Sequence, residues 1–167
     1  MIHYPKANYE IRLPEGYCFR TVKLPGETAL VAEFINCCYS GIYLNRDEII
    51  KWMQYPAFEN ELWVFIMDKS KMLPVALGIG DFDSEIAEGS LEWIQVLPEF
   101  RGRGLGKSIV LELLSRLKNM ADFITVSGEV DNPANPESLY RKCGFAGDDI
   151  WYVFRNKSKD MGDDSNA

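Results

Sequence analysis

Histidine is almost missing from this chain: His3 is the only one in 167 residues. Mechanisms that pair a serine or cysteine nucleophile with an imidazole have little to build on, and neither do zinc sites made of several histidines. The four cysteines, Cys18, Cys37, Cys38 and Cys143, include no C-x-x-C pair. A metal knuckle is therefore not indicated, and a chain of this length needs no disulfide framework. No apolar run approaches the ~20 residues that span a bilayer. The opening "MIHYPKANYEIRLPEG" lacks the basic start and apolar block of a secretory signal. Basic charge is also short, with 18 Lys and Arg against 25 Asp and Glu, a net −7. Nucleic-acid binders carry a basic footprint, and none is visible. These absences predict a cytoplasmic protein with no metal, no nucleic acid and no membrane among its partners. An acidic body does favour a cationic small molecule.

What is present reads as one domain over 1–155, followed by a polar tail, 156–167, expected to be disordered. "YCFRTVKL" predicts a first strand. In "ETALVAEFINCCYSG", Leu30, Val31, Phe34, Ile35 and Cys38 recur at helical spacing, with Gly41 as the stop and the cysteines as small core residues. "NRDEIIKWMQYP" predicts a short helix capped by Asn45, with Glu48 three residues on. Three extended runs follow, Glu61–Asp68, Leu73–Phe82 and Gly89–Pro98. Their short spacers predict an antiparallel meander. Leu105, Ile109, Val110, Leu113, Leu114, Leu117 and Met120 form the clearest amphipathic stripe, over Arg103–Met120. "DFITVSGEV" after it completes a parallel strand–helix–strand step. "PESLYRKCGF" predicts a helix opened by Pro136 and closed by Gly144. "DIWYVFR" predicts a last strand. The fold class is α/β: a mixed sheet, antiparallel first and parallel at the glycine-rich step.

That step carries the chemistry. "PEFRGRGLGKSIVLELL" places Gly102, Gly104 and Gly106 between a strand and a helix N-terminus, where unpaired N–H groups and the helix dipole favour an anion. Arg101, Arg103 and Lys107 make the loop locally basic in an acidic protein. A nucleotide P-loop would need glycine at 101, where Arg101 stands. A dinucleotide fingerprint starting at Gly102 would need its third glycine at 107, where Lys107 stands. Register argues against both. "GKS" is then the opening turn of the helix, with Ser108 structural.

The pattern R-x-x-G-x-G, met by Arg101, Gly104 and Gly106 after "IQVLPEF", resembles the coenzyme A loop of the GNAT acyltransferase superfamily. "SLYRKCGF" resembles that family's second common segment through Leu139, Tyr140, Gly144 and Phe145. The resemblance implies a GNAT-like fold with splayed central strands, acetyl-CoA as acyl donor, an amine acceptor on a small molecule or peptide, and a homodimer as an expected assembly. It implies that the backbone of Arg101, Gly102, Arg103, Gly104, Leu105, Gly106 and Lys107 holds the pyrophosphate. It also implies that the N–H of Val96 polarises the thioester carbonyl and that an Asn before the tyrosine touches the cofactor. Both Asn132 and Asn135 compete for the last role, and Asn135 also suits the N-cap of the Pro136 helix.

For catalysis, Tyr140 is the candidate proton donor to the leaving thiolate, against the alternative of a buried ring with a wet hydroxyl. Glu92 is the candidate base. It precedes Val96 by four residues, so strand alternation predicts one shared face. An ordinary wet-face residue, or a water relay, is the alternative. Tyr39, Tyr43, Trp52, Tyr55 and Phe58 either line an acceptor pocket or pack a core. Asp81, Asp83, Glu85 and Glu88 either attract an ammonium or form a solvated loop. A coenzyme A-binding sensor or interaction domain without turnover is the rival to an enzyme.

Overall fold

The computed structural model of the chain describes residues 1–39, 41–128, 132 and 135–150. Among the described residues, six strands form one sheet. They are β1 (Ile2–His3), β2 (Tyr17–Thr21), β3 (Phe58–Asp68), β4 (Leu73–Asp83), β5 (Glu88–Val96) and β6 (Phe123–Val126), in the order β1-β6-β5-β4-β3-β2. Every neighbouring pair is antiparallel except β5 with β6. The helices are α1 (Thr28–Cys38), α2 (Arg46–Trp52), α3 (Leu105–Leu117) and α4 (Pro136–Lys142).

Both faces of the sheet are covered, which is why β3 and β4 read as nearly unbroken apolar runs. In β3, Leu62, Val64 and Ile66 face α3, whereas Trp63 and Phe65 face α1 and α2. The α3 stripe is buried as its periodicity predicts, from Leu105 and Ile109 to Leu114 and Leu117. Its helix lies directly on β4: a Cβ added at Gly78 would stand 2.6 Å from Ile109 Cγ1 and 3.0 Å from Leu113 Cδ1. Only a residue without a side chain allows that approach.

Several boundaries shift for identifiable reasons. The α3 helix starts at Leu105 rather than Arg103, because Gly104 sits at φ 83°, outside helical space. The α1 helix ends at Cys38, before Gly41. There Asn36 both donates to Leu44 O and accepts from Leu44 N, at 2.8 Å each, which pins the following loop. Cys37, expected in the core, is exposed. The Asn45–Glu48 capping box forms as predicted. The strand expected over "DFITVSGEV" holds only as Phe123–Val126. Most of "DIWYVFR" and the whole 156–167 tail lie outside the described residues.

The N-terminus is built into the fold. His3 is 1% exposed. Its Nδ1 is 3.0 Å from Gly144 O and its Nε2 is 2.9 Å from the Tyr9 hydroxyl, which itself accepts from Lys6 N. One neutral tautomer satisfies all three groups, with Nδ1–H donating to Gly144 and Nε2 accepting from Tyr9. Among the described residues, no helix is long and apolar enough to cross a membrane.

Candidate functional site

The parallel pairing of β5 with β6 is brief. It joins Glu88–Leu91 to Phe123–Val126 and stops, while β5 continues to Val96. On its other side β5 stays in register with β4: Gln95 faces Leu77 and Val96 faces Ala76. Leu97 N donates to Val75 O at 3.0 Å. Antiparallel pairs alternate between bonded and non-bonded, so Val96 opposite Ala76 is a non-bonded pair. Its N–H and C=O therefore turn away from β4, toward the side where, among the described residues, β6 no longer pairs. Arg101 takes the carbonyl, its Nε donating to Val96 O at 3.2 Å.

The glycine-rich turn closes the end of that space. Gly102 and Gly104 sit at φ 76° and 83°, and a Cβ on either would meet nothing within 4 Å. The first-turn N–H groups of α3 thus open onto free volume and carry the positive end of a 13-residue helix. Gly106 brings the parts together: a Cβ there would lie 3.4 Å from Leu139 and 3.8 Å from Val96. The end of β5, the start of α3 and the Leu139–Tyr140 turn of α4 meet at this point. Ser108 is structural, donating to Arg12 O at 2.7 Å and to Gly104 O at 3.2 Å. Arg101 and Lys107 are exposed at the loop. Arg103 is committed elsewhere: its guanidinium donates to Tyr17 OH and Glu99 O and lies 4.9 Å from the centre of the Phe100 ring. Only its backbone faces the turn. Asn135 is the N-cap of α4, its side-chain oxygen accepting from Ser138 N at 3.3 Å, and its own N–H donates to Asn132 O.

Tyr140 is buried, with its ring edge-on to Phe145. Burial, with smaller pushes from Tyr39 and Cys143, moves its hydroxyl up to about 12. It is protonated throughout the neutral range and is a donor there, never a base. Cys143 and Cys38 are each pushed up to about 11, in both cases mainly by burial. Neither is a thiolate at neutral pH, so neither suits a nucleophile's role.

A cavity of about 190 Å³ lies on the α1/α2 side of the sheet. Trp52, Trp63 and Trp93 wall it, Tyr55 stands at its edge, and Asp81 and Glu92 are its charged groups. Trp52 stacks on Trp93 with ring centroids 5.6 Å apart. The expected shared face for Glu92 and Val96 is not found. Ile79 pairs with Trp93 but Gly80 pairs with Leu91, so Glu92 is the extra residue of a β-bulge. The bulge resets alternation: Glu92 and Trp93 both line the cavity, while the Val96 side chain packs on the α3 side. Glu92 is exposed and accepts from Ser90 Oγ at 2.6 Å. Of the predicted aromatics, Trp52 and Tyr55 reach the cavity, Phe58 packs edge-on against Trp63, and Tyr43 is 87% exposed. Tyr39 lies edge-on to Trp93 at 6.0 Å.

Two polar residues were not singled out as site residues by the sequence. Asp81 appeared only as one of four acids, yet it continues the inward face of Leu77 and Ile79, and that alternation was a usable signal. Burial, then repulsion from Glu92, pushes its carboxyl up to about 6. Gln95 is 4% exposed, and among the described residues neither its amide oxygen nor its nitrogen has a partner. A buried amide without partners is costly to the fold. Among the described residues, no group of three or more His, Cys, Asp or Glu is arranged to hold a metal ion.

Residues 59–146 match the family model of the acetyltransferase (GNAT) domain. No curated protein matches the chain by sequence. Among solved structures, the chain is similar to a GCN5-related N-acetyltransferase from Sphaerobacter thermophilus, with 18% identity and a TM-score of 0.71 over 85% of this chain and 44% of that one. It thus spans less than half the length of that protein. It is also similar to glucosamine-6-phosphate N-acetyltransferase from Arabidopsis thaliana, with 17% identity and a TM-score of 0.63 over 86% of this chain and 100% of that one. A third likeness is to an aminoglycoside 6'-N-acetyltransferase from Acinetobacter haemolyticus, with 16% identity and a TM-score of 0.61 over 84% and 99%. At these identities the structural likeness is one of fold.

Proposed function

This chain belongs to the GNAT acetyltransferase family, and we propose that it transfers an acetyl group from acetyl-CoA to a primary amine of a small molecule or peptide by direct attack on the thioester. The observation that carries the proposal is the parting of β5 from β6 among the described residues, which leaves the Val96 N–H turned away from β4 near the glycine-rich turn.

The backbone N–H groups from Arg101 to Lys107 would hold the pyrophosphate, helped by the dipole of α3 and the Lys107 charge. Arg101 would serve doubly, since its hold on Val96 O also fixes the strand end. Asn135 would contribute through its amide nitrogen, because its oxygen is used by the cap. The Val96 N–H would donate to the thioester oxygen, whose negative charge grows as nitrogen attacks. The N–C bond forms, the C–S bond breaks, the thiolate takes the Tyr140 proton, and Tyr140 would be reprotonated from water before the next turnover. The surplus proton on nitrogen leaves through water toward Glu92. Four strand residues span about 13 Å, so a carboxylate at the bulge is too far for direct transfer. No covalent intermediate on the enzyme is needed, which suits a chain whose one histidine is locked in the N-terminal packing.

Thermal denaturation with acetyl-CoA, ATP plus Mg²⁺, and NAD tests the ligand class. At a hundred times its Kd a ligand stabilises by about 2.7 kcal/mol, roughly 5–10 °C here. Acetyl-CoA is expected to shift the midpoint and the others are not. Thiol release across an amine panel then tests turnover. A shift without release on any amine would leave a coenzyme A-binding module and sink the enzymatic proposal.

A further inference from the structure

We infer that the aromatic cavity beside the β5 bulge is a recognition site for a second cationic group of the acceptor, so that the acceptor is a compact, elongated amine with two positive centres about 10 Å apart. The reaction end of this inference rests on the acyl-transfer proposal above; the binding end does not.

The cavity has the size and walls for such a group. At ~30 Å³ per water, about 190 Å³ holds some six waters. That is below the ~300 Å³ at which pockets for larger ligands begin. A slim chain fits it, and an oligosaccharide or a folded segment does not. Three indoles and a phenol surround the space, and aromatic faces attract an alkylammonium. Among the described residues its charged lining groups are Asp81 and Glu92, so an acceptor bearing phosphate or carboxylate at this end is opposed.

Asp81 has no structural explanation without a cation. It is half-buried, lies next to another carboxylate, and makes no hydrogen bond or ion pair among the described residues. Leaving a carboxylate in that position raises its affinity for protons, as the shift to about 6 records. An ammonium between Asp81 and Glu92 removes both the desolvation and the repulsion. Trp63 adds a second unmet group: its side chain is 1% exposed and its indole N–H has no acceptor among the described residues. An ammonium, itself only a donor, does not satisfy it; a water held beside the cation does.

The spacing follows from the ladder. Ser90 faces Asp81 and Val96 faces Ala76, so Asp81 lies five β4 residues from the level of Val96, about 17 Å along the strand. A group held between the Asp81 and Glu92 side chains, at the level of Trp93, is three residues away, or about 10 Å. Asp81 therefore does not touch an amine attacking at Val96. It binds the other end. Three backbone bonds span at most ~3.6 Å, so about eight to nine bonds join the two nitrogens. Tyr39, edge-on to Trp93 at 6.0 Å, extends the aromatic wall beyond the cavity.

The test is calorimetric titration at pH 8 with octane-1,8-diamine, octylamine and the shorter propane-1,3-diamine, with and without acetyl-CoA. The eight-carbon diamine is expected to bind at least tenfold tighter than octylamine and than the short diamine. Asp81→Asn is expected to bring the diamine-to-monoamine ratio to about one, and Glu92→Gln to reduce it less. Equal binding of octane-1,8-diamine and octylamine to the wild-type protein overturns the inference, whatever the variants do. So does an unchanged ratio in Asp81→Asn. If acetyl-CoA fails to bind while the diamine preference persists and needs Asp81, the acyl-transfer proposal falls and the cation site stands.

Discussion

The two halves of the proposed site, donor and acceptor, are made of different materials. The donor half, around Val96 and the turn from Arg101 to Lys107, is mostly backbone: N–H groups freed by a strand that loses its partner and a helix that begins. The acceptor half, around Trp93 and Asp81, is all side chain, drawn from α2, β3, β4 and β5. A backbone site depends on local order along the chain, and its residue types can vary as long as the turn keeps its shape. A side-chain site depends on which distant segments meet. The first kind is general to a fold, and the second decides what one protein acts upon.

Substitutions can separate the halves. The largest effect is expected from Tyr140→Phe, which removes the proton donor and nothing else from a buried ring. Steady-state turnover on a good amine should fall about a hundredfold or more, with the acetyl-CoA shift kept. Retained turnover with chemistry limiting would remove Tyr140 from the mechanism. Next is Gly104→Val, which places a branched residue at φ 83° and a side chain in open cradle space. Acetyl-CoA affinity should drop about tenfold, the worth of ~1.4 kcal/mol, while diamine affinity does not change. If both drop together, the halves are not separable as described.

The donor half was legible because its signals are short and ordered. R-x-x-G-x-G and Leu-Tyr…Gly-Phe each lie within eight residues, and the helix stripe between them has one period. The acceptor half was only half visible. Trp52 and Tyr55 were in view, but Trp63 and Trp93 lay within the expected strands with nothing to single them out. Asp81 read as one acid of a loop. The bulge at Glu92 could not be read at all, since an extra residue in a strand leaves no mark unless the partner strand is known.

A smaller effect sharpens the same contrast from the side of stability. Gln95→Leu removes two buried polar atoms without partners. The free protein should gain about 1–2 kcal/mol, a melting point higher by roughly 2–8 °C, and turnover should fall if the amide serves a bound acceptor or its waters. A lower melting point would mean that the amide is satisfied in solution. The smallest effect concerns the fold alone. Burial holds the His3 pKa below its ordinary 6.5, with Lys6 repelling the charged form. The folded state therefore prefers neutral His3. The stability it contributes is complete above pH 6.5 and is lost progressively as pH falls below that value. Melting curves from pH 8 to 5 should show this slope in the wild type and a flatter one in His3→Gln.

The sequence alone determined the order of elements from β2 to α4, though not the short β1 at Ile2–His3, together with the amphipathic α3, the glycine turn and its family, because each of these is written in contiguous residues whose spacing is the signal. Tertiary structure alone decided that His3 is buried, that Glu92 and Val96 lie on opposite faces, and that three indoles and Asp81 enclose one cavity. The physical reason is the same in each case. Burial and charge pairing belong to contacts between strands and helices far apart in the chain, and one inserted residue in β5 is enough to change which side chains meet.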